Sequence, residues 1–274
     1  MKLNDLNNIA EPLESTTTMP VLFLGHGSPM HAIKDDEIVQ GFRTVSALIE
    51  RPNAILCISA HWETRGTMVT AMEAPVTIHD FYGFPKELYE IHYPAPGSPD
   101  LAKHTRELIT KTEVHLDDKW GLDHGAWTVL RHMYPKADIP VIQLSLDSTQ
   151  GPKYHYELAG ELRALRQKGI LIVGSGNLVH NLELIAWDKL DQNYAYEWAE
   201  EASTRMKKYI LDGNHQKLID YSKLGKAFRL AIPTPEHYLP LLYALALMDG
   251  KDEITLFNDQ PVGGSLSMTS VKIG

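Results

Sequence analysis

The 274-residue chain carries 26 Lys and Arg against 35 Asp and Glu, a net charge of −9 with His neutral, and no basic cluster interrupts it. That balance argues against nucleic acid or an anionic membrane surface as a partner, and no apolar run approaches the roughly 20 residues of a membrane helix. Cys57 is the only cysteine, which excludes an intramolecular disulfide and any cysteine-rich metal site, so a transition metal would have to be carried by some of the thirteen histidines.

Residues 1–18 are polar, without the basic end and apolar centre of a signal peptide, and read as a flexible leader on a cytoplasmic protein. Val21 to Leu24 then form an apolar run that stops at Gly25-His26-Gly27, a strand feeding a tight turn. Ile38, Phe42, Val45 and Ile49 recur at helical spacing. A second apolar run from Ala54 ends at His61-Trp62, completing a βαβ unit. Cys57 lies inside that run and reads as a packed, inert thiol.

Met68 to Ala71 is β-prone, and residues 75–99 turn to Pro, Gly and aromatics, the texture of a segment that builds a site or lid. Ser98-Pro99 is an N-cap and N1 pair opening a helix to about Thr110, followed by a β-prone stretch from Thr112 to Leu116. The loop Trp120-Gly121-Leu122-Asp123-His124-Gly125 leads into an apolar helix from Ala126 to Met133. Further on, Ile139 to Leu146 reads as a buried strand and Tyr154 to Gln167 as a helix ended by Gly169. Ile170 to Val173 form another strand, ending in Gly174-Ser175-Gly176-Asn177-Leu178-Val179-His180-Asn181.

Residues 190–230 read as charged helix with no chemistry. Thr234 and Pro235 are read as N-cap and N1 of an apolar helix through Met248, with Glu236 and His237 in its first turn. Ile254 to Phe257 and Leu266 to Ile273 close the chain as a strand pair. The predicted architecture is a single α/β domain over residues 19–274, with a central, mostly parallel sheet flanked by helices and a metal site at the C-terminal edge of the strands.

His26, His61, His180 and His237 each follow a strand or open a helix with Gly or Pro nearby, and such positions converge on one edge of an open α/β sheet. His31, His104, His115, His132, His155 and His215 lack that context and are expected to be solvated or bonded to their neighbours. Several imidazoles without thiolate suit Zn²⁺ or Fe²⁺, and three protein ligands would leave positions open for chemistry. Glu236 or His237 could serve as one of the ligands, since neighbours on a helix point about 100° apart. These residues alone also admit a zinc-dependent hydrolase, with His180 or Glu236 as base, or a metal- or tetrapyrrole-handling binding protein.

GHGSPM at 25–30, SAHW at 59–62, TIHDF at 77–81, YPAPG at 93–97, WGLDHG at 120–125, SGNLVHN at 175–181 and PTPEHYLPLL at 233–242 together resemble the LigB-type class III extradiol ring-cleavage dioxygenases. The similarity runs from Met19 to the C-terminus, with the motifs in family order, and is closest to the DOPA-cleaving branch. It implies a non-haem Fe(II) for activity, with Zn²⁺ sometimes in its place, and a small catechol plus O₂ as substrates. It also implies His26 and His61 as ligands, His237 at the third ligand position, His180 as acid/base group or further ligand, and His124 as a substrate-binding or supporting group. The protocatechuate branch has a glutamate as third ligand, so Glu236 stays in view. Trp62 and the segment from Phe81 to Tyr93 are expected to wall the ring, with Ser28, Asn177 and Tyr238 orienting it. Physiological catechol, cleavage position and oligomeric state are left open.

Overall fold

A computed structural model describes residues 18–274, so the expected leader lies, apart from Thr18, outside the described residues. The central sheet has six strands. In chain order they are β1 (Val21–Gly25), β2 (Ala54–Ser59), β3 (Val141–Gln143), β4 (Ile170–Gly176), β5 (Ile254–Phe257) and β6 (Ser270–Ile273). Their spatial order is β3-β2-β4-β1-β6-β5, with the first four parallel, β6 antiparallel to β1 and β5 antiparallel to β6. The expected fold class is therefore the observed one.

Strand alternation divides the core in two. Val21, Phe23, Leu56, Ile58 and Ile172 face one cluster, and Leu22, Leu24, Ile55, Leu171 and Val173 face the other. Helices α1 (Glu37–Ala47) and α3 (His124–Met133) contribute to the second cluster. Helices α4 (Pro152–Gly160), α5 (Glu197–Leu211), α6 (Lys226–Ala231) and α7 (Leu239–Ala246) contribute to the first, as does Ala102 of α2 (Pro99–Leu108). Continuously buried strands such as Ala54–Ser59 are what a parallel sheet covered on both faces requires.

The register decides where the loops emerge. Ser175 pairs with Leu24 on one side and Ser59 on the other, and Gly25 pairs with Gly176. Strands β1, β2 and β4 therefore end at one level, and the residues after them leave the same edge.

Several elements differ from the sequence reading. The expected strand Ile139 to Leu146 is broken: β3 stops at Gln143, the Ser145 hydroxyl accepts from Met68 N at 2.8 Å, and Leu146–Asp147 pairs separately with Glu63–Thr64. The expected helix Tyr154 to Gln167 divides into α4 and a 3-10 turn over Arg163–Lys168, ended by Gly169 at φ 73°. The division turns Arg166 inward to the Met19 and Leu247 carbonyl oxygens (both 2.7 Å) and to Asp252 (2.6 and 2.9 Å). The expected terminal strand is also split, Leu266–Ser267 pairing with Pro261–Val262 and β6 with β5.

The expected helix opening at Thr234 begins instead at Leu239, and Thr234 Oγ1 donates to Glu236 Oε1 at 2.9 Å rather than capping it. Glu236 and His237 thus occupy the turn before α7. The His237 carbonyl is held out of the helix by Asn177 N at 2.8 Å, and Gly176 lies so close beneath it that a Cβ there would collide with the carbonyl oxygen.

Both close packing and the buried arginine can be tested by stability. Gly176→Ala is expected to cost about 1–3 kcal/mol through overpacking, whereas Gly160→Ala, whose added Cβ meets nothing within 4 Å, is neutral or stabilising; urea unfolding checks both, and equal effects would contradict the close-approach account. Arg166 is 1% exposed, so Arg166→Met is expected to lower the unfolding free energy by about 3–5 kcal/mol by leaving Asp252 and the two carbonyls without their donor.

Candidate functional site

His26 follows β1 directly, with its N–H donated to the Gly176 carbonyl at 3.1 Å. Its Nδ1 lies 3.1 Å from Ser175 Oγ, whose own hydrogen goes to the Gly125 carbonyl at 2.5 Å. The hydroxyl therefore accepts from Nδ1–H, and the lone pair of the neutral ring is on Nε2. Burial, followed by repulsion from His61, His237, His124 and His180, holds the His26 pKa well below its ordinary value.

His61 stands two residues past β2, its backbone N–H bonded to Ser59 Oγ at 3.2 Å. Its Nε2 is 3.0 Å from His26 Nε2, and its Nδ1 is 3.7 Å from Asp80 Oδ2. Burial and the neighbouring His124 lower its pKa, against the opposing pull of Asp80 and Glu236. His237 Nδ1 donates to Glu236 Oε1 at 3.1 Å, which likewise leaves its lone pair on Nε2. Burial, followed by the neighbouring histidines, lowers this pKa strongly too.

The ring centroids of His26, His61 and His237 form a near-equilateral triangle with sides of 4.9, 5.3 and 5.0 Å. Three imidazoles on one ion at Zn–N or Fe–N lengths near 2.1 Å would place their centroids roughly 5 Å apart. With the His26 lone pair on Nε2, His61 Nε2–H donates to it at 3.0 Å; a cation between the two rings would take that hydrogen's place, with the His61 proton moving to Nδ1 on the Asp80 side. The donor set therefore fits a divalent transition metal.

Two groups of donors have ligand atoms within 4.8 Å of one another among the described residues: His26, His61 and His124, and His180, Glu236 and His237. His124 is the first residue of α3, behind the N-cap Asp123, rather than in the loop before the helix. Asp80 accepts both its backbone N–H and its Nδ1–H at 2.9 Å. His180 is anchored after β4 by its N–H to the Ala231 carbonyl at 2.9 Å. Its ring lies flat on His237, with centroids 3.4 Å apart and planes 6° apart. Burial lowers its pKa to about 4, with Glu236 opposing and His124 reinforcing the shift, so it is neutral at pH 7.

The five histidines open onto a cavity of about 980 Å³, also lined by Phe81, Phe84, Ile185, Val262 and Met268. Ser28 lines it as well. Three other expected ring-contacting residues do not. Trp62 stacks on Trp120 at 5.9 Å, the Tyr238 hydroxyl donates to the Leu218 carbonyl at 3.0 Å, and Asn177 Nδ2 bonds the Ser267 carbonyl at 2.9 Å. Tyr93 is also buried elsewhere, donating to the Tyr134 carbonyl at 3.0 Å.

Sequence reasoning missed Asp80 and Asp123 as supports. Both lie in motifs whose histidines carry the stronger signal. Asp123 is fully buried, accepting from Ser59 Oγ at 2.6 Å, Gln143 Nε2 at 3.0 Å and Trp120 Nε1 at 3.2 Å. It also missed residues 190–193, assigned no chemistry, and His31, assigned to the background; all line the cavity. His155 does match its expectation, bonded between the Tyr243 hydroxyl and the Asp147 carbonyl.

Comparison with known proteins gives the chain's family. A family model described as the catalytic LigB subunit of aromatic ring-opening dioxygenase matches residues 17–263. The chain is 47% identical over 270 residues to the 4,5-DOPA dioxygenase extradiol of Escherichia coli (strain K12), covering 97% of this chain and 98% of the relative. It is 37% identical over 257 residues to the Beta vulgaris protein of the same name, covering 91% and 94%. A crystal structure of an Escherichia coli K12 protein superposes with a TM-score of 0.79 at 43% identity, covering 93% of this chain and 100% of that one. With the family model spanning most of its length and these relatives matching nearly end to end, the chain belongs to the LigB family of aromatic ring-opening, extradiol dioxygenases.

Proposed function

We propose that residues 19–274 act as one catalytic unit that opens the ring of a DOPA-like catechol with O₂, using Fe(II) held by His26, His61 and His237. The observation that carries this reading is the triangle of three neutral imidazoles, His26 and His237 buried and His61 partly so, at the head of a cavity large enough for a substituted catechol. The relatives named for 4,5-DOPA support the substrate class. Zn²⁺ would fit the same donors but lacks redox chemistry. Bound Fe(II) supplies coordination positions for catecholate and O₂ and the electron path between them.

The chain's own residues divide the remaining work. Glu236 accepts a hydrogen bond from His237 Nδ1–H, so it orients a ligand and His237 takes the third position. His180 takes a catechol hydroxyl proton and later returns it, because its neutral ring carries a free lone pair at pH 7. Parallel stacking leaves the in-plane lone pairs of His180 and His237 side by side instead of convergent, which favours this role over a fourth ligand position. His124, fixed by Asp80, presents Nε2 to the ring's oxygen substituents. Phe81, Phe84 and Met268 exclude water from the ring.

Anaerobic loading with Fe²⁺, addition of L-DOPA and admission of oxygen should give oxygen uptake and a yellow ring-opened semialdehyde. Silence across a panel of catechols, or zinc-supported turnover under nitrogen, would overturn the assignment. His61→Ala is expected to lose the metal, measured by elemental analysis after dialysis. His180→Ala is expected to keep it while kcat falls by about 10²–10⁴-fold; full activity in either variant would contradict the roles of His61 as ligand and His180 as base.

A further inference from the structure

Away from the five site histidines, the cavity wall contains a sixth histidine. His31 lies in the 3-10 turn Pro29–Ala32 after β1 and is 6% exposed. Its Nδ1 is 3.1 Å from the Ser28 carbonyl oxygen, which can only accept, so Nδ1 carries the hydrogen. In the neutral ring Nε2 is then a lone pair, and the group facing it is another acceptor, Asp36 Oδ2 at 3.7 Å. The other Asp36 oxygen is occupied as the N-cap of α1, accepting from Val39 N at 3.0 Å. Two acceptors thus face each other across a gap slightly too wide for a hydrogen bond, and among the described residues no donor bonds either of these two atoms.

Charged and polar groups act on the ring in both directions, with burial first and Lys34 disfavouring a positive charge there. Asp36 and the Ser28 and His26 carbonyls favour a positive charge at His31, although burial outweighs them and keeps its pKa below the ordinary value. Asp35, Glu37 and Asp191 line the same mouth, and Lys34 is the one basic side chain among the lining residues. Asp35 is held by Arg43 at 2.6 Å. Lys34 reaches only Asp191, at 3.9 Å between exposed groups, an ion pair weak enough to exchange for a carboxylate.

We infer that His31 Nε2 and Asp36 Oδ2 form an ammonium-binding subsite that selects catechols bearing an amino-acid or amine side chain, with Lys34 receiving the carboxylate of an amino acid. The inference rests on the catechol reading of the same cavity and adds to it the group that is recognised. An ammonium supplies the N–H donors that both acceptors lack, and it brings the charge that the acidic mouth attracts. A neutral or anionic side chain leaves both acceptors facing each other unpaired. Gly27 separates the metal-directed His26 from this wall, and its Cα is packed against the His31 ring closely enough that a Cβ would crowd Cε1. The ring-opening and head-group ends of one substrate therefore share a single continuous wall of the cavity.

The decisive comparison is L-DOPA against hydrocaffeate, which differs only in lacking the amine. Binding is read by calorimetry on the zinc-loaded protein under nitrogen, so that no turnover is needed. Wild type is expected to bind L-DOPA at least about tenfold more tightly. Asp36→Asn preserves the helix cap, because Asn caps as well as Asp, and is expected to remove that preference while leaving hydrocaffeate within about twofold. His31→Phe, which keeps the ring volume, should act in the same direction. Equal binding of the two ligands by wild type would overturn the subsite, as would an equal loss of both in Asp36→Asn. The two readings fail separately: amine preference without ring cleavage sinks only the proposed reaction, and cleavage of both catechols without amine preference sinks only the subsite.

Discussion

The arrangement depends on Ser175. Its backbone pairs with Leu24 and Ser59, which sets β1, β2 and β4 in one register. Its hydroxyl accepts from His26 and donates to the Gly125 carbonyl in the first turn of α3. One residue thus ties the ends of three strands to the helix that carries His124, and it fixes the tautomer of the histidine at the head of the site. Gly176 beside it lets the turn bearing Glu236 and His237 settle directly on the sheet edge, and Gly174 does the same for the first turn of α7 at Pro240.

Electrostatics suit the proposed division in which imidazoles hold the metal and carboxylates stand behind them. Burial of His26, His61 and His237 pushes each toward the neutral form, and nearby imidazoles, His124 and His180 in all three cases, add to the push. A metal then displaces no proton from them near neutral pH. Asp80 accepts from the His124 ring and Glu236 from the His237 ring, so each carboxylate orients an imidazole of the site. Asp80 shows the balance: burial raises its pKa, and the bonds from His124 more than reverse that.

Much of this is legible in the chain. Apolar runs stopping at Gly-His-Gly and at His-Trp locate β1, β2 and two site histidines, because a buried parallel strand has few ways to be written. Elements governed by distant contacts are not legible. Nothing in Thr234-Pro235 announces that Asn177 and Gly176 will hold the His237 carbonyl out of the helix, and nothing local to Arg166 announces its partner Asp252. Trp62 is expected at the ring and found stacked on Trp120, since an aromatic near a site has the same composition signal whether it faces ligand or core. His31 escapes a sequence reading because it lacks a strand end, the feature by which the other histidines are recognised.

The central claim is that one ion is shared by His26, His61 and His237. Anomalous diffraction at the iron edge, from crystals loaded with Fe²⁺ under nitrogen, tests it most directly. The account predicts a single peak about 2.1 Å from Nε2 of each of the three rings. A peak held by His124 with His26 and His61, or one between His180 and Glu236, would contradict it.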